Sequence, residues 1–230
     1  MEKIIVLLLA VSITSIAKAQ FDAASDPILM RSLKSETIKK VIANTSGGNI
    51  TITGISSGEP RLEVYARSNG KIIPSSKADI QKLLDEYYDL KIAVNDGELH
   101  AVAKSKDDFF RSNNKLSISF KIFVPQNVSV NLQTSGGNIS LTDLTGDEKF
   151  NTSGGNIQLI GLHGKIDGVT SGGNINATNS SGTISLTTSG GSLKFESLSG
   201  TIKAATSGGN VNGNNIVGGV RRYLQVNVFL

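Results

Sequence analysis

The chain has no cysteine and no tryptophan, and only two histidines, two methionines and four prolines among 230 residues. Without cysteine there can be no disulfide, no thiol nucleophile, no thiolate metal site and no lipidated cysteine anchor, so stability must come from packing and hydrogen bonding. Without tryptophan, and with aromatics at 5%, the usual platforms for sugar rings are scarce. The two histidines, His100 and His163, stand far apart in sequence and are read as surface side chains, not as a metal pair or a catalytic base. Charge of one sign is also lacking: 23 basic residues face 19 acidic ones, interspersed and without a basic block, which argues against a nucleic-acid partner.

Long apolar runs are confined to the start. "MEKIIVLLLAVSITSIAKAQ" places Lys3 before an apolar run from Ile4 to Ile16, then Ala17-Lys18-Ala19. This is the pattern of a secretory signal, with cleavage expected between Ala19 and Gln20. The apolar run falls short of the ~20 residues needed to cross a bilayer. Removing Glu2, Lys3 and Lys18 leaves 21 basic and 18 acidic residues in an exported chain expected to have no transmembrane helix. The sequence divides into a leader at 1–19, an N-terminal stretch at 20–35 and a single domain at 36–230.

What is abundant is glycine, and it is concentrated: 19 of the 25 glycines lie between Thr134 and Tyr223. The phrase TSGG begins at Thr134, Thr152, Thr170, Thr188 and Thr206, at intervals of 18, with a further copy at Thr45. Self-similarity at a short fixed period signals a solenoid. Apolar residues recur at the sixth and eighth positions (Ile139 and Leu141, Ile157 and Leu159, Ile175 and Ala177, Leu193 and Phe195) and again at the eleventh and fifteenth. Alternation by two that loses phase twice per unit means two short strands and two corners in 18 residues, one coil of a parallel β-helix. A propeller blade needs about 40 residues, more than twice the unit.

The fourth-position glycines (Gly137, Gly155, Gly173, Gly191, Gly209) and the thirteenth-position glycines (Gly146, Gly164, Gly182, Gly200, Gly218) recur in every unit and are expected at bends or close backbone approaches. Asn138, Asn156, Asn174 and Asn210 are expected to bond from rung to rung, and the threonines to form a second column. Phosphate and calcium loops do not fit. The two Gly-Lys pairs, Gly70-Lys71 and Gly164-Lys165, are followed by Ile where a Walker loop has Ser or Thr, and no Gly-Gly pair leads into an Asp.

Before the array, "NTSGGNITITG" and "RLEVYARS" read as a first, detached rung. In "SSKADIQKLLDEYYDL" the residues Ile80, Leu83, Leu84 and Tyr87 fall on one face of a helix over 76–89, inserted in or capping the solenoid. "DLKIAV" and "ELHAVAKS" around Asn95-Asp96-Gly97 predict a hairpin. At the far end "YLQVNVFL" leaves the repeat and is read as a cap over residues 224–230.

The search for chemistry finds no active site. Asp147 and Asp167 lie on neighbouring units, but Lys165 is expected directly above Asp147, as in a surface ion pair. The serines have no paired histidine. No cofactor or metal is implied.

The signal sequence, "NTSGGNITITG", "FKIFVPQNVSVNLQTSGGNISLTDLTG" and the 18-residue TSGG units together resemble the putative-adhesin family of bacterial envelope proteins, also called toastrack-type β-solenoids, over roughly residues 36–215. The resemblance implies an exported, non-enzymatic, right-handed parallel β-helix, located in the periplasm, the outer envelope or on the cell surface. The expected fold is therefore an all-β right-handed solenoid of 18-residue coils with one helix. The expected function is a binding scaffold, with Ser140, Gln158, Asn176, Lys194 and Asn212 at position seven forming a flat face for a glycan or an envelope protein. A periplasmic regulatory module that docks through the helix or the tail is the alternative, and a polysaccharide-active enzyme a remote one. Self-association through the open solenoid ends is a further partner mode.

Overall fold

The computed structural model describes residues 26–68, 71–72, 82, 84–106 and 116–224. The expected leader, its cleavage point and residues 225–230 of the expected cap lie outside them, as does half of the expected helix. Of that helix, residues 82 and 84–87 are helical, and Tyr88 already begins a strand.

The described residues are all-β apart from this short helix. Sixteen strands join in one open sheet. In its regular part each strand pairs in parallel with the strand 18 residues further on. β10 (Ile139–Thr142) pairs with β12 (Ile157–Ile160), setting Ile139 beside Ile157 and Leu141 beside Leu159. β12 pairs with the start of β14 (Ile175–Thr188), and β14 with β15 (Leu193–Thr206) and then β16 (Val211–Leu224). A second ladder runs through β9 (Ser129–Thr134), β11 (Thr145–Thr152), β13 (His163–Thr170) and the end of β14. β14 belongs to both ladders and joins them.

Two corners separate the ladders in each unit. The first is TSGG itself. The Thr152 hydroxyl donates to the Gly137 carbonyl of the neighbouring rung (2.9 Å) and accepts from the Gly155 N–H of its own (3.2 Å). The same pair of bonds is made by Thr134, Thr170, Thr188 and Thr206, all buried. The threonines thus bond to glycine main chain, not to one another. The fourth-position glycine is required by crowding: a Cβ on Gly155 would overlap the Gly137 carbonyl, while Gly154 next to it has ample room. The second corner is set at position ten, where Asp143, Asn179, Ser197 and Asn215 have φ of 51–54° and Gly161 has 65°. Sequence reading missed this position. Its signal was present in the Asp, Gly and Asn it holds, the residues that best tolerate a left-handed backbone.

Inside, the columns read from sequence pack as one core with Leu144, Leu162 and Leu198 buried among them. Sizes compensate between rungs. Phe150 stands in register with Gly168, and its ring fills the space a Gly168 side chain would take. Ser180 interrupts the leucine column but is satisfied, donating to the Thr178 carbonyl (2.9 Å) and accepting from the Leu162 N–H (3.1 Å).

The earlier residues do not follow chain order. β2 (Lys40–Thr45) and β3 (Ile50–Ile55), which flank the isolated TSGG, pair directly with β9 and β10. On their other side lie β7 (Glu98–Ser105) and β8 (Leu116–Pro125), although these come later in sequence. The rung at Thr45 is therefore built into the stack and not detached. β4 (Arg61–Ser68), read from sequence as part of that rung, instead returns antiparallel along β8, with β1 (Leu29–Ser32) and the two-residue β5 (Lys71–Ile72) beside it. Its repeated alternation of apolar residues did not distinguish parallel from antiparallel pairing. β6 (Tyr88–Asn95) and β7 form an antiparallel hairpin turning at Asp96 and Gly97, both at positive φ.

Candidate functional site

The position-seven residues come together. Ser140, Gln158, Asn176, Lys194 and Asn212 stand side by side in register, and the row extends backwards through Thr51 to Lys121. Because side chains alternate along a strand, position five lies on the same face, two residues or ~6.6 Å away. That row reads Asn49, Asn138, Asn156, Asn174, and its inner edge is set by the TSGG corner. Between the two rows runs a shallow trough of about 450 Å³, lined by both. Ser140, Gln158 and Asn176 line it; Lys194 and Asn212 continue the row beyond it.

The asparagines are bonded to main chain. The Asn138 N–H donates to Asn49 Oδ1, the Asn156 N–H to Asn138 Oδ1, the Asn174 N–H to Asn156 Oδ1 and the Ser192 N–H to Asn174 Oδ1, each at 2.8 Å. Each oxygen is thus committed to the next rung. Asn210 lies one rung past this run and donates its N–H to Ser192 Oγ (3.1 Å).

Of the glycines named from sequence, the fourth-position set adjoins the asparagine row and the thirteenth-position set lies past the second corner. Gly137, Gly155, Gly173, Gly191 and Gly209 each back onto main chain of the adjacent rung. Gly164, Gly182, Gly200 and Gly218 have φ of 112–123°, a conformation open to glycine, whereas Gly146 does not share it and packs against Ser129.

One end of the trough is charged. Lys121 stands in register with Glu63, which accepts from Arg61 Nε and from the Tyr65 hydroxyl, each at 2.7 Å. Burial pushes the Glu63 carboxyl up, but these bonds and the Arg61 charge outweigh it and hold the group below its ordinary range. Burial, together with the bond to Glu63, pushes Tyr65 up to about 12. Arg61 lies 3.7 Å over the Phe123 ring.

On the other ladder a smaller hollow of about 320 Å³ is lined by Asn131, Gln133, Lys149, Asn151, Asp167 and Val169 among others. His163 is exposed and its Nδ1 lies 2.8 Å from Ser181 Oγ; His100 Nε2 lies 3.4 Å from Glu98. Asp147 and Lys165 stand in register, as expected from their positions. Among the described residues no group of three His, Asp or Glu side chains is placed to hold a metal, and no helix is long and apolar enough to cross a membrane.

Sequence reading overlooked Glu148. It occupies position fifteen, where the other units have Ile166, Ile184 and Ile202, and it is 1% exposed with neither carboxylate oxygen hydrogen-bonded. Burial, then the charge of Asp147, pushes its carboxyl up to about 8. The signal was a charged residue at an otherwise apolar repeat position.

No protein-family model matches the chain, and no curated protein does. Solved structures similar to it include a putative adhesin from Bacteroides fragilis, at 17% identity over 85% of this chain and 96% of that one, with a TM-score of 0.42. A putative cell adhesion protein from Clostridium sporogenes matches at 11% identity over 85% and 98%, TM-score 0.33. A putative lipid binding protein from Parabacteroides distasonis matches at 15% identity over 86% and 98%, TM-score 0.33. Structures named as putative adhesins thus stand among those the chain is similar to, and the sequence motifs resemble that same family.

Proposed function

We propose that this chain is an exported, non-enzymatic binding scaffold: a right-handed β-solenoid of 18-residue coils that holds an extended polar partner on its trough-bearing face. The observation that carries the reading is the trough itself, two parallel rows of hydrogen-bonding side chains fixed on a rigid sheet. A scaffold needs groups held at constant spacing and no reacting centre, and parallel strands supply that spacing. The 18-residue register of β10 through β16 supports the coil reading. An envelope glycan or an envelope protein would suit such a face.

The test is retention of isolated cell-envelope material on the immobilised chain, comparing the wild type with Gln158→Ala/Asn176→Ala. Retention that falls by more than fivefold in the double variant, without loss of thermal stability, supports the reading. Equal retention by both, or by neither, overturns it. Protease shaving of intact cells then sets the location: digestion from outside means surface display, and protection until the envelope is opened means the periplasm.

A further inference from the structure

We infer that the trough is a length-defined site for a linear, uncharged glycan of about four sugar rings, lying along the stack and held by the side-chain amides of Asn49, Asn138, Asn156 and Asn174. The inference rests on the scaffold reading above and adds a ligand class, a length and the residues that set both.

The four amides are oriented by the fold. The N–H donated from the next rung identifies the inner atom of each amide as oxygen, so the Nδ2 group is the one left facing outward. None of the four Nδ2 groups has a protein partner among the described residues. Together they form a row of donors, two N–H per rung, repeated every ~4.8 Å.

These donors are not required for stacking. At one end of the row the equivalent residue is Ser119, whose hydroxyl accepts the Asn49 N–H (3.0 Å). At the other end it is Ser192, whose hydroxyl accepts the Asn210 N–H (3.1 Å). Serine therefore makes the same rung-to-rung bond without presenting an amide to the trough. Asparagine at four consecutive rungs supplies something the fold does not use.

The second row is bracketed at the same two rungs. Lys121 shares a rung with Ser119, and Lys194 shares one with Ser192. Between them stand Thr51, Ser140, Gln158 and Asn176, none charged and each able both to donate and to accept. The site is thus four rungs long, or ~14 Å from first to last.

That lining selects a ligand. A row of spare donors needs a chain dense in acceptors, which the ring and hydroxyl oxygens of a glycan provide, and the hydroxyls can donate back to the position-seven row. A polyanion would leave its central charges facing neutral groups, with one cation, Lys121, at one end of the trough and another, Lys194, beyond the other. An extended polypeptide advances ~3.3 Å per residue, out of step with the rungs. An equatorially linked pyranose chain advances by close to one rung per ring. Without aromatic platforms the affinity must accumulate ring by ring.

The experiment is calorimetric titration of the full chain with two series of neutral β-1,4-linked oligosaccharides, from glucose and from N-acetylglucosamine, two to eight rings long. Affinity in at least one series is expected to rise about tenfold from two rings to four, and by less than threefold from four to eight. Asn156→Ser, which copies Ser119 and Ser192, is expected to leave the melting temperature unchanged and to weaken four-ring binding about fivefold. Asn138→Ser/Asn156→Ser is expected to weaken it by about 25-fold. Affinity independent of length, undiminished binding by the serine variants, or tighter binding of polygalacturonate or of an extended peptide than of any neutral oligosaccharide would each overturn the inference. If the chain retains envelope material through the trough but binds no neutral oligosaccharide, this inference falls and the scaffold reading stands. If it does neither, both fall.

Discussion

The two halves of the stack use one corner in two ways. From Thr152 onward each corner threonine bonds to a glycine 15 residues earlier. In the earlier half Thr45 bonds to the Ile118 carbonyl, 73 residues later, and Thr134 reaches back 86 residues to Gly48. The bond is the same, a buried hydroxyl on a main-chain carbonyl at 2.6–2.9 Å. Closing 86 residues instead of 15 adds only ~1.5 kcal/mol of chain entropy, because loop closure grows with the logarithm of length. The corner, and not the spacing, fixes the register, and an even spacing is one way of satisfying it.

The sharpest way to break this equivalence is at the glycine of the corner. A Cβ on Gly155 would overlap the Gly137 carbonyl, and one on Gly48 would overlap that of Ile118. Gly155→Ala and Gly48→Ala should each destabilise the fold by roughly 3 kcal/mol or more, since main chain must move. Denaturant unfolding will check this, and a tolerated Gly48→Ala would mean that the early corner is not the same device.

The junction between the halves carries the next effect. Glu148 continues a column that reads Val41 and Val130 before it and Ile166 after it. Its folded carboxyl titrates near 8, above the ordinary 4.5, so folding favours the protonated form. Stability should therefore be greatest below about pH 4.5, fall as pH rises to about 8, and stay level beyond, with a total loss on the order of a few kcal/mol. Glu148→Ile should remove that slope and raise the melting temperature most at pH 8. A wild type with no slope over this window would contradict the burial of the carboxylate.

A smaller effect is expected from Thr152→Val and Thr45→Val. The Thr152 change leaves a buried carbonyl and a buried N–H without their partner, worth about 1–3 kcal/mol. Similar losses in urea unfolding would show that the two corners are energetically alike. The smallest effect belongs to Gly154→Ala, where the added methyl meets only the Ser135 carbonyl at 3.9 Å and stability should stay within about 0.5 kcal/mol.

These sites also show what the sequence made legible. The columns at Ile139, Ile157 and Ile175 could be read because a strict period leaves each apolar position in the same place. The position-seven row followed for the same reason. The placement of β7 and β8 beyond β2 and β3 could not be read, because parallel pairing across tens of residues leaves no local pattern. The trough was half legible: the alternation that put Ser140 and Gln158 outward also puts Asn138 and Asn156 outward, but a conspicuous repeat invited a purely structural role for them. Glu148 was visible as an exception in its column and became informative only once its burial was known.

The nesting of the first rung bears on how the stack grows. β2 and β3 leave the translation machinery before either of their lateral partners, yet they end with β7 and β8 on one side and β9 and β10 on the other. The first TSGG rung in sequence is thus interior to the finished stack, with later strands paired on both of its edges. Trimming from the C-terminus would peel rungs away singly, whereas deleting residues 40–55 would leave two partial stacks with nothing to splice them.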